Sequence, residues 1–457
     1  MSIVKSLRAL FYFGLVAVFL FMTQIAMPAT TDSDTQKYGL IDKTGKYVVA
    51  PQFDWIHDFQ EGLARVMLEG KLGYIDRTGK VVIPFQFEWS PDNFSEGLAV
   101  AQLKGSEKVG YIDKTGKYVI PPQFDRANSF HEGLAIVVVN YKYGYINKQG
   151  SYVIPPLFDQ ATEFWEGIAV VEVAQKYGLI DRTGKYIATP SFDHIYNTDD
   201  GEGLSKSPVF NDGLMRVGMG GQPCYRGGVA GGKWGYIDRK GTLVIPLKFT
   251  YNRTFSQGRA RVFISTTGFD ECYARDNGKW GYINSAGEYV VTPKFDNARD
   301  FSEGLAEVEI EDKWGYIDLS GKLVIPPQFN DNGEFVGGLA LTKSNENGLY
   351  GYIDKTGKFV IAPQFNWAHN FSNGWAIVKV NDKQGIIDKA GKYIVEPQFD
   401  IVDEFSEGLA RVNLNDKEGY IDRRGKLVID FKFDSVRSFD RGIAIVGVKE
   451  KTANKST

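Results

Sequence analysis

Between Glu303 and Phe329 apolar and polar positions change rhythm three times, and each rhythm predicts a strand. Ala306, Val308 and Ile310 alternate with Glu307, Glu309 and Glu311. That period of two predicts a lead strand with one buried face and one wet face. Lys313 to Asp318 follows as a motif strand, with Trp314 and Tyr316 on one side and Gly315 and Ile317 on the other. The third run, Leu323-Val324-Ile325, is apolar on both faces and stops at Pro326, which cannot donate to a ladder. It is called the proline strand below. Between the motif and proline strands, Asp318 and Gly321 bracket a short loop. A glycine there supplies a left-handed turn residue, and the Asp side chain can bond the turn amides. After the proline strand comes a compact connection, as in Gln52-Phe53-Asp54 through Ile56 and Phe59 to Glu61-Gly62-Leu63-Ala64, where the next lead strand opens.

This pattern is a repeat. The motif-strand glycine recurs at Gly39, Gly73, Gly110, Gly144, Gly178, Gly235, Gly281, Gly315, Gly351, Gly385 and Gly419, with successive spacings of 34, 37, 34, 34, 57, 46, 34, 36, 34 and 34 residues. A three-stranded unit of about 34 residues cannot bury its apolar face alone, so neighbouring units must stack. The expected fold is therefore all-β, eleven tandem three-stranded hairpin units. An open β-solenoid or superhelix is favoured, because propeller blades usually have four strands and number four to eight. A closed β-propeller is the alternative. It gains from the chain beginning on a motif strand and ending on a lead strand, an offset that suits ring closure.

The segments Lys233-Trp234-Gly235-Tyr236-Ile237-Asp238, Lys279-Trp280-Gly281-Tyr282-Ile283 and Lys313-Trp314-Gly315-Tyr316-Ile317-Asp318 resemble the bacterial WG repeat, also called the KWG repeat. The resemblance covers residues 37–448. Other units depart from it at the Trp position, with Leu72, Val109, Tyr143, Gln384 and Glu418. It implies a bacterial β-repeat protein and supplies no catalytic residues.

Charge and the first residues narrow the setting. A net charge of −3, without a clustered basic surface, argues against nucleic acid as a partner. Lys5 and Arg8 precede an apolar run from Ala9 to Met22, followed by Thr23-Gln24 and the small residues Ala26 and Ala29. This order describes a secretory signal over residues 1–29. The run falls short of the roughly 20 residues needed to span a bilayer. Met27 makes a poor cleavage site after Ala29, so an uncleaved signal anchor is the other reading and the only membrane attachment expected. A linker over 30–36, the repeat array over 37–448 and a polar tail over 449–457 complete the expected organisation, in a periplasmic or secreted setting.

Function on a repeat scaffold concentrates in insertions. Three are expected, at 197–208, 218–230 and 264–278. The last two fall at the same place in consecutive units, the loop between lead and motif strands, and they hold the chain's two cysteines, Cys224 and Cys272. In an exported chain these are expected to pair, closing a loop of about 49 residues for roughly 4 kcal/mol. Tyr225, Arg226, Tyr273 and Arg275 beside them are candidate binding residues. So are Trp55, Trp89, Trp165, Trp367 and Trp375, which lie outside the motif slot; such tryptophans either offer planar contact area or fill gaps between units.

No metal or cofactor site is expected. One Asp per turn is too few oxygens for calcium, and the four histidines show no paired ligand spacing. Gly218 to Gly232 lacks the Lys-Ser/Thr of a phosphate loop. Only Asp199, Asp200, Glu202, Asp270 and Glu271 offer a glycosidase-like carboxylate set, and acidic surface loops of this kind are common without catalysis. The expected function is a non-catalytic scaffold binding an envelope protein or a cell-wall or surface polysaccharide. A purely structural spacer is the alternative, and a glycoside-active enzyme is a distant third.

Overall fold

The structure is a computed structural model, and it describes residues 36–87, 92–102, 105–196, 210–223, 229–265 and 278–449. Cys224, Cys272, Tyr225, Arg226, Tyr273, Arg275 and Trp89 lie outside the described residues, as do the signal segment and most of the insertions.

Residues 37–448 form one unit, and within it the open array gives way to a closed ring of eleven blades. The strand Gln36–Asp42 does not sit at a free end. Its sheet runs Tyr47–Phe53, Gln36–Asp42, Ile443–Lys449, Ser435–Val436, so the first motif strand is hydrogen-bonded to the last lead strand. The core agrees. Among the described residues there are eleven buried clusters, each bridging consecutive blades. An open stack of eleven units would have only ten such seams. The eleventh joins Ile41 to Tyr420, Ile429 and Val446.

The unit also has a fourth strand, and this removes the main argument against a propeller. The connection after the proline strand holds a short strand, such as Trp55–Ile56, Arg126–Ala127 or Asn297–Ala298, which pairs antiparallel with the lead strand of the next blade. Only Asp54 separates the proline strand Tyr47–Phe53 from Trp55–Ile56. Each sheet thus runs short, lead, motif, proline. Among the described residues one blade shows three strands, and the segment leading into it includes the undescribed residues 88–91.

Blades pack on both sides of each sheet, which corrects a second expectation. The lead strand Leu305–Ile310 has no wet face over its first four residues; Glu307 is only 1% exposed. Conversely, Leu323 and Val324 at the start of the proline strand are 40% exposed, while Ile325 is buried. The motif glycine is explained by close approach rather than by a turn. A Cβ on Gly315 would stand 2.5 Å from the carbonyl oxygen of Ile325 and 2.7 Å from the nitrogen of Pro327. The proline strand is bulged against the motif strand at this point, with register shifts between Trp314, Tyr316 and Ile317.

Each ring face carries its own polar stitching. One face holds the Glu-Gly and Asp-Gly turns. Glu61 and Gly62 both have left-handed backbone (φ 51° and 90°), as a two-residue type I′ hairpin turn demands. The Glu61 carboxylate accepts from Gly97 N of the next blade at 3.0 Å and pairs with Lys114 at 3.1 Å. The same stitch recurs at Glu96 with Gly133 and Lys148, and at Glu303 with Gly338 and Lys355. It crosses the closure as Glu407 with Gly442 and Lys43. The Asp of each motif strand caps its own turn: Asp42 Oδ1 accepts from Thr44 Oγ1 at 2.6 Å and from the amides of Thr44 and Lys46. On the opposite face, the junction between proline and short strands holds an Asp paired to the preceding motif-strand Lys. Lys37–Asp54 (2.6 Å), Lys142–Asp159 (2.5 Å) and Lys383–Asp400 (2.5 Å) are examples.

These carboxylates set an acid limit. Hydroxyl hydrogen bonds hold Asp42 and Asp76 below the usual carboxylate value of 3.8, and lysine hydrogen bonds do the same for Asp54, Asp159 and Asp400. A folded-state value below the unfolded one adds stability that is fully present above the unfolded value and lost as pH falls through the folded one. The melting temperature is therefore expected to fall steeply below about pH 4, where these groups take up protons. A melting curve as stable at pH 3 as at pH 6 would contradict the stitching.

Candidate binding faces

The two faces divide the sequence-derived candidates. The junction face carries the lead–motif turns; of the expected insertion at 218–230 a short ribbon, Gln222–Pro223 paired with Val229–Ala230, is described, and residues 266–277 lie outside the described residues. Trp55 and Trp367 also open short strands on this face. Trp55 is half-buried, with the His57 ring edge-on at 3.3 Å and the Arg65 guanidinium 5.5 Å from its ring centre. Burial and Arg65 push His57 down to about 4, so its imidazole is neutral at physiological pH. Trp367 is 36% exposed and meets the His369 ring at 4.2 Å and 61°.

The turn face takes the other two. Trp165 is 45% exposed and stacks parallel to His131 across a seam, at 5.2 Å and 7°. Trp375 packs against Phe405 of the next blade at 4.8 Å and under Arg423, so it fills a seam. Trp234, Trp280 and Trp314 of the motif are buried, each beneath an arginine (Arg216, Arg261, Arg299) at 5.2–5.4 Å. These are packing contacts.

Sequence reasoning missed a stronger feature on the junction face. The lead–motif turn of the fourth blade is Asn140-Tyr141, and Tyr141 has left-handed backbone (φ 62°) with 88% of its surface exposed. Equivalent turns place Gly70, Gln175, Asp312, Asp382 or Asp416 there. An aromatic residue in that conformation is strained and unprotected, a combination associated with functional sites. Tyr141 stands at a groove of about 780 Å³, lined also by Arg126, Asn140, Tyr143, Asp159 and Gln160. The groove's acids are already occupied. Asp125 pairs with Lys108 and accepts from Asn140 N, and Asp159 pairs with Lys142 and accepts from Ala174 N. What remains are two tyrosines, one guanidinium and two amides. A periodic reading could have found the site by asking which turn carries a residue unsuited to φ > 0.

A second groove, about 660 Å³, lies on the turn face at the ring closure. There Arg437 pairs with Asp58 at 2.7 Å, Arg411 with Asp403 at 2.5 Å, and Arg77 with Asp440. Arg441 occupies the slot that is Glu in most other blades, and a guanidinium has no acceptor for the glycine amide of the next blade. Among the described residues no group of three or more His, Cys, Asp or Glu could hold a metal ion.

The WG containing repeat family matches eleven consecutive segments, from 38–71 through 234–264 and 314–347 to 419–451. The chain belongs to the WG-repeat family. Each matched segment of this WG-repeat ring begins at or near a motif strand, so the family unit is cut two strands away from the structural blade. No curated protein matches the chain in sequence. Among solved structures, it is 12% identical to apo AztD from Citrobacter koseri, covering 91% of this chain and 100% of that one, with a TM-score of 0.27. For a eukaryotic initiation factor the values are 11%, 70%, 92% and 0.36. For the extracellular domain of the hybrid two-component system BT3049 from B. thetaiotaomicron they are 10%, 84%, 66% and 0.22, so the chain spans just under two thirds of that domain. Scores this low transfer nothing to the WG-repeat ring.

Proposed function

We propose that the ring is a non-catalytic binding module acting outside the cytoplasm, and that its junction face holds an envelope polysaccharide in the groove beside Tyr141. The observation that carries this reading is the strained, 88% exposed Tyr141 at the mouth of that groove. A planar ring offers stacking area to a sugar at low entropic cost, and Arg126, Asn140 and Gln160 supply donors and acceptors for hydroxyl groups. With its carboxylates already neutralised by lysines, the groove suits a neutral or weakly charged chain. The composition of residues 1–29 supports export.

The test is co-sedimentation of the ring with cell-wall and surface-polysaccharide fractions, wild type beside Tyr141→Ala and Tyr141→Gly. Tyr141→Gly relieves the left-handed strain and is expected to stabilise the fold by about 1 kcal/mol. Both variants are expected to reduce binding at least tenfold. Unchanged binding by both would reject the groove as the site. Retention of wild type by envelope proteins but by no glycan fraction would replace the polysaccharide with a protein partner.

A further inference from the structure

Three positions that are apolar in most blades are polar at one seam, and all three are buried. Glu307 stands on the lead strand of the eighth blade where other blades carry Val100, Ile136, Val170 or Ile377. Thr342, on the lead strand of the ninth, replaces Val66, Val137, Val308 or Val412. Asn332, on the ninth short strand, replaces Ile56, Ala161, Ala298 or Val436. Asn332 and Thr342 are cross-strand partners, and Glu307 lies opposite Tyr316 on the face they pack against. Their exposures are 1% for Glu307, 7% for Asn332 and 0% for Thr342.

The seam between the sixth and seventh blades carries polar residues at two of these positions and joins them. Arg216 occupies the Glu307 position and Asn252 the Asn332 position. Arg216 Nε donates to Asn252 Oδ1 at 3.1 Å, and Asn252 Nδ2 donates to the Gly235 carbonyl at 3.3 Å. Glutamate is shorter than arginine and does not bridge the seam. Both oxygens of Glu307, both amide atoms of Asn332 and the hydroxyl of Thr342 are buried without a well-aligned hydrogen bond, although the Tyr316 oxygen lies near enough to Asn332 and Thr342 to attract a proton from each. Arg299 Nε stands 3.0 Å from Glu307 Oε2, a charge contact without hydrogen-bond alignment. Tyr316 spends its own proton on the Gly333 carbonyl at 2.8 Å.

Glu307 meets only the charge of Arg299, and Asn332 and Thr342 meet only the Tyr316 oxygen. The buried acceptors of this seam, the Glu307 oxygens and Asn332 Oδ1, are left short of donors, a costly arrangement that something must relieve. The groups lining the seam here include acceptors, the Asn332 amide donors and a hydroxyl that can do either. A cation would be opposed by the Asn332 amide hydrogens and by Arg299, and an anion by Glu307. A neutral molecule that both donates and accepts fits. We infer that the seam between the eighth and ninth blades encloses a water site, about one or two molecules bridging Glu307, Asn332 and Thr342. At 1% exposure Glu307 is out of reach of any substrate, so this is an internal site and no catalytic acid.

The site has a pH signature. Burial raises Glu307 to about 7, opposed by Arg299 and Arg261 and reinforced by Glu334 and Asp331. The folded chain therefore keeps a proton that the unfolded chain releases near 4.5, and stability falls as pH rises between those values. This slope is opposite to that of the stitching aspartates. Two experiments test the site. In a high-resolution crystal structure of the intact ring, ordered density is expected within hydrogen-bond reach of all three side chains. Density at metal–oxygen distances, or direct bonds among the three with no density, would overturn the water site. Melting of wild type and Glu307→Gln at pH 5 and pH 8 should show wild type losing several degrees relative to the variant at the higher pH. A parallel response would overturn a buried, solvated acid. The triple variant Glu307→Val, Asn332→Ala, Thr342→Val, which restores residues used at apolar seams, is expected to fold and melt higher than wild type. Melting lower would mean that the polar set is directly bonded and stabilising.

Discussion

Gly315→Ala is expected to destabilise the ring by about 3 kcal/mol or more, among the largest effects of any single methyl added to it. The new Cβ would stand 2.5 Å from the Ile325 carbonyl oxygen and 2.7 Å from Pro327 N, so it meets backbone rather than the end of a flexible side chain. Relief requires pushing the proline strand away from the motif strand, and the buried Trp314 and Tyr316 flank that point. Gly304→Ala serves as the control. Its Cβ meets nothing within 4 Å, and the cost is confined to a left-handed backbone at φ 85°, about 1 kcal/mol. Denaturant unfolding of the two variants should separate them by at least twofold in free-energy loss. Equal losses would mean that the motif glycine is needed only for backbone freedom.

Ending the chain after Gly442 is expected to cost more still. The lost lead strand carries Ala444, Ile445 and Val446, all at most 5% exposed, and burying one large aliphatic side chain is worth about 1.5–3 kcal/mol. Its loss also leaves the edge of Gln36–Asp42 without its hydrogen-bonding neighbour, a template for pairing with another chain. The truncated chain is expected to self-associate or to unfold with reduced cooperativity, read by light scattering and by the coincidence of melting transitions from two probes. An open array would shed its terminal strand for little more than local fraying. A truncated chain that stays monomeric and melts near wild type would therefore argue against closure.

The acid limit, the Tyr141 variants and the Glu307 slope probe different parts of the same molecule, and their signs differ. Aspartates on the two faces lose stability toward low pH, while Glu307 loses it toward neutral pH. The two trends together place the stability maximum between about pH 4 and 6, where the aspartates are ionised and Glu307 is still protonated.

The sequence by itself determined the unit, its count and three of its four strands. Alternation in Ala306–Ile310, the Lys-Trp-Gly-Tyr run and the stop at Pro326 are local signals, and local hydrogen bonding and sterics suffice to read them. The short strand was not legible. Segments such as Trp55–Ile56, Arg126–Ala127 and Ser435–Val436 are two residues long, follow the proline strand after a single residue, and share no side-chain pattern. They become strands only because a lead strand lies beside them. Glu307 misled for a related reason. An alternating strand implies one wet face only when one side of its sheet is open, and here the ninth blade covers the other. Closure itself belongs to the tertiary structure. Each seam sets a small rotation between blades through the packing of many side chains. Eleven such rotations complete a turn that brings Ile41 onto Tyr420 and Lys43 onto Glu407, and no residue encodes that sum.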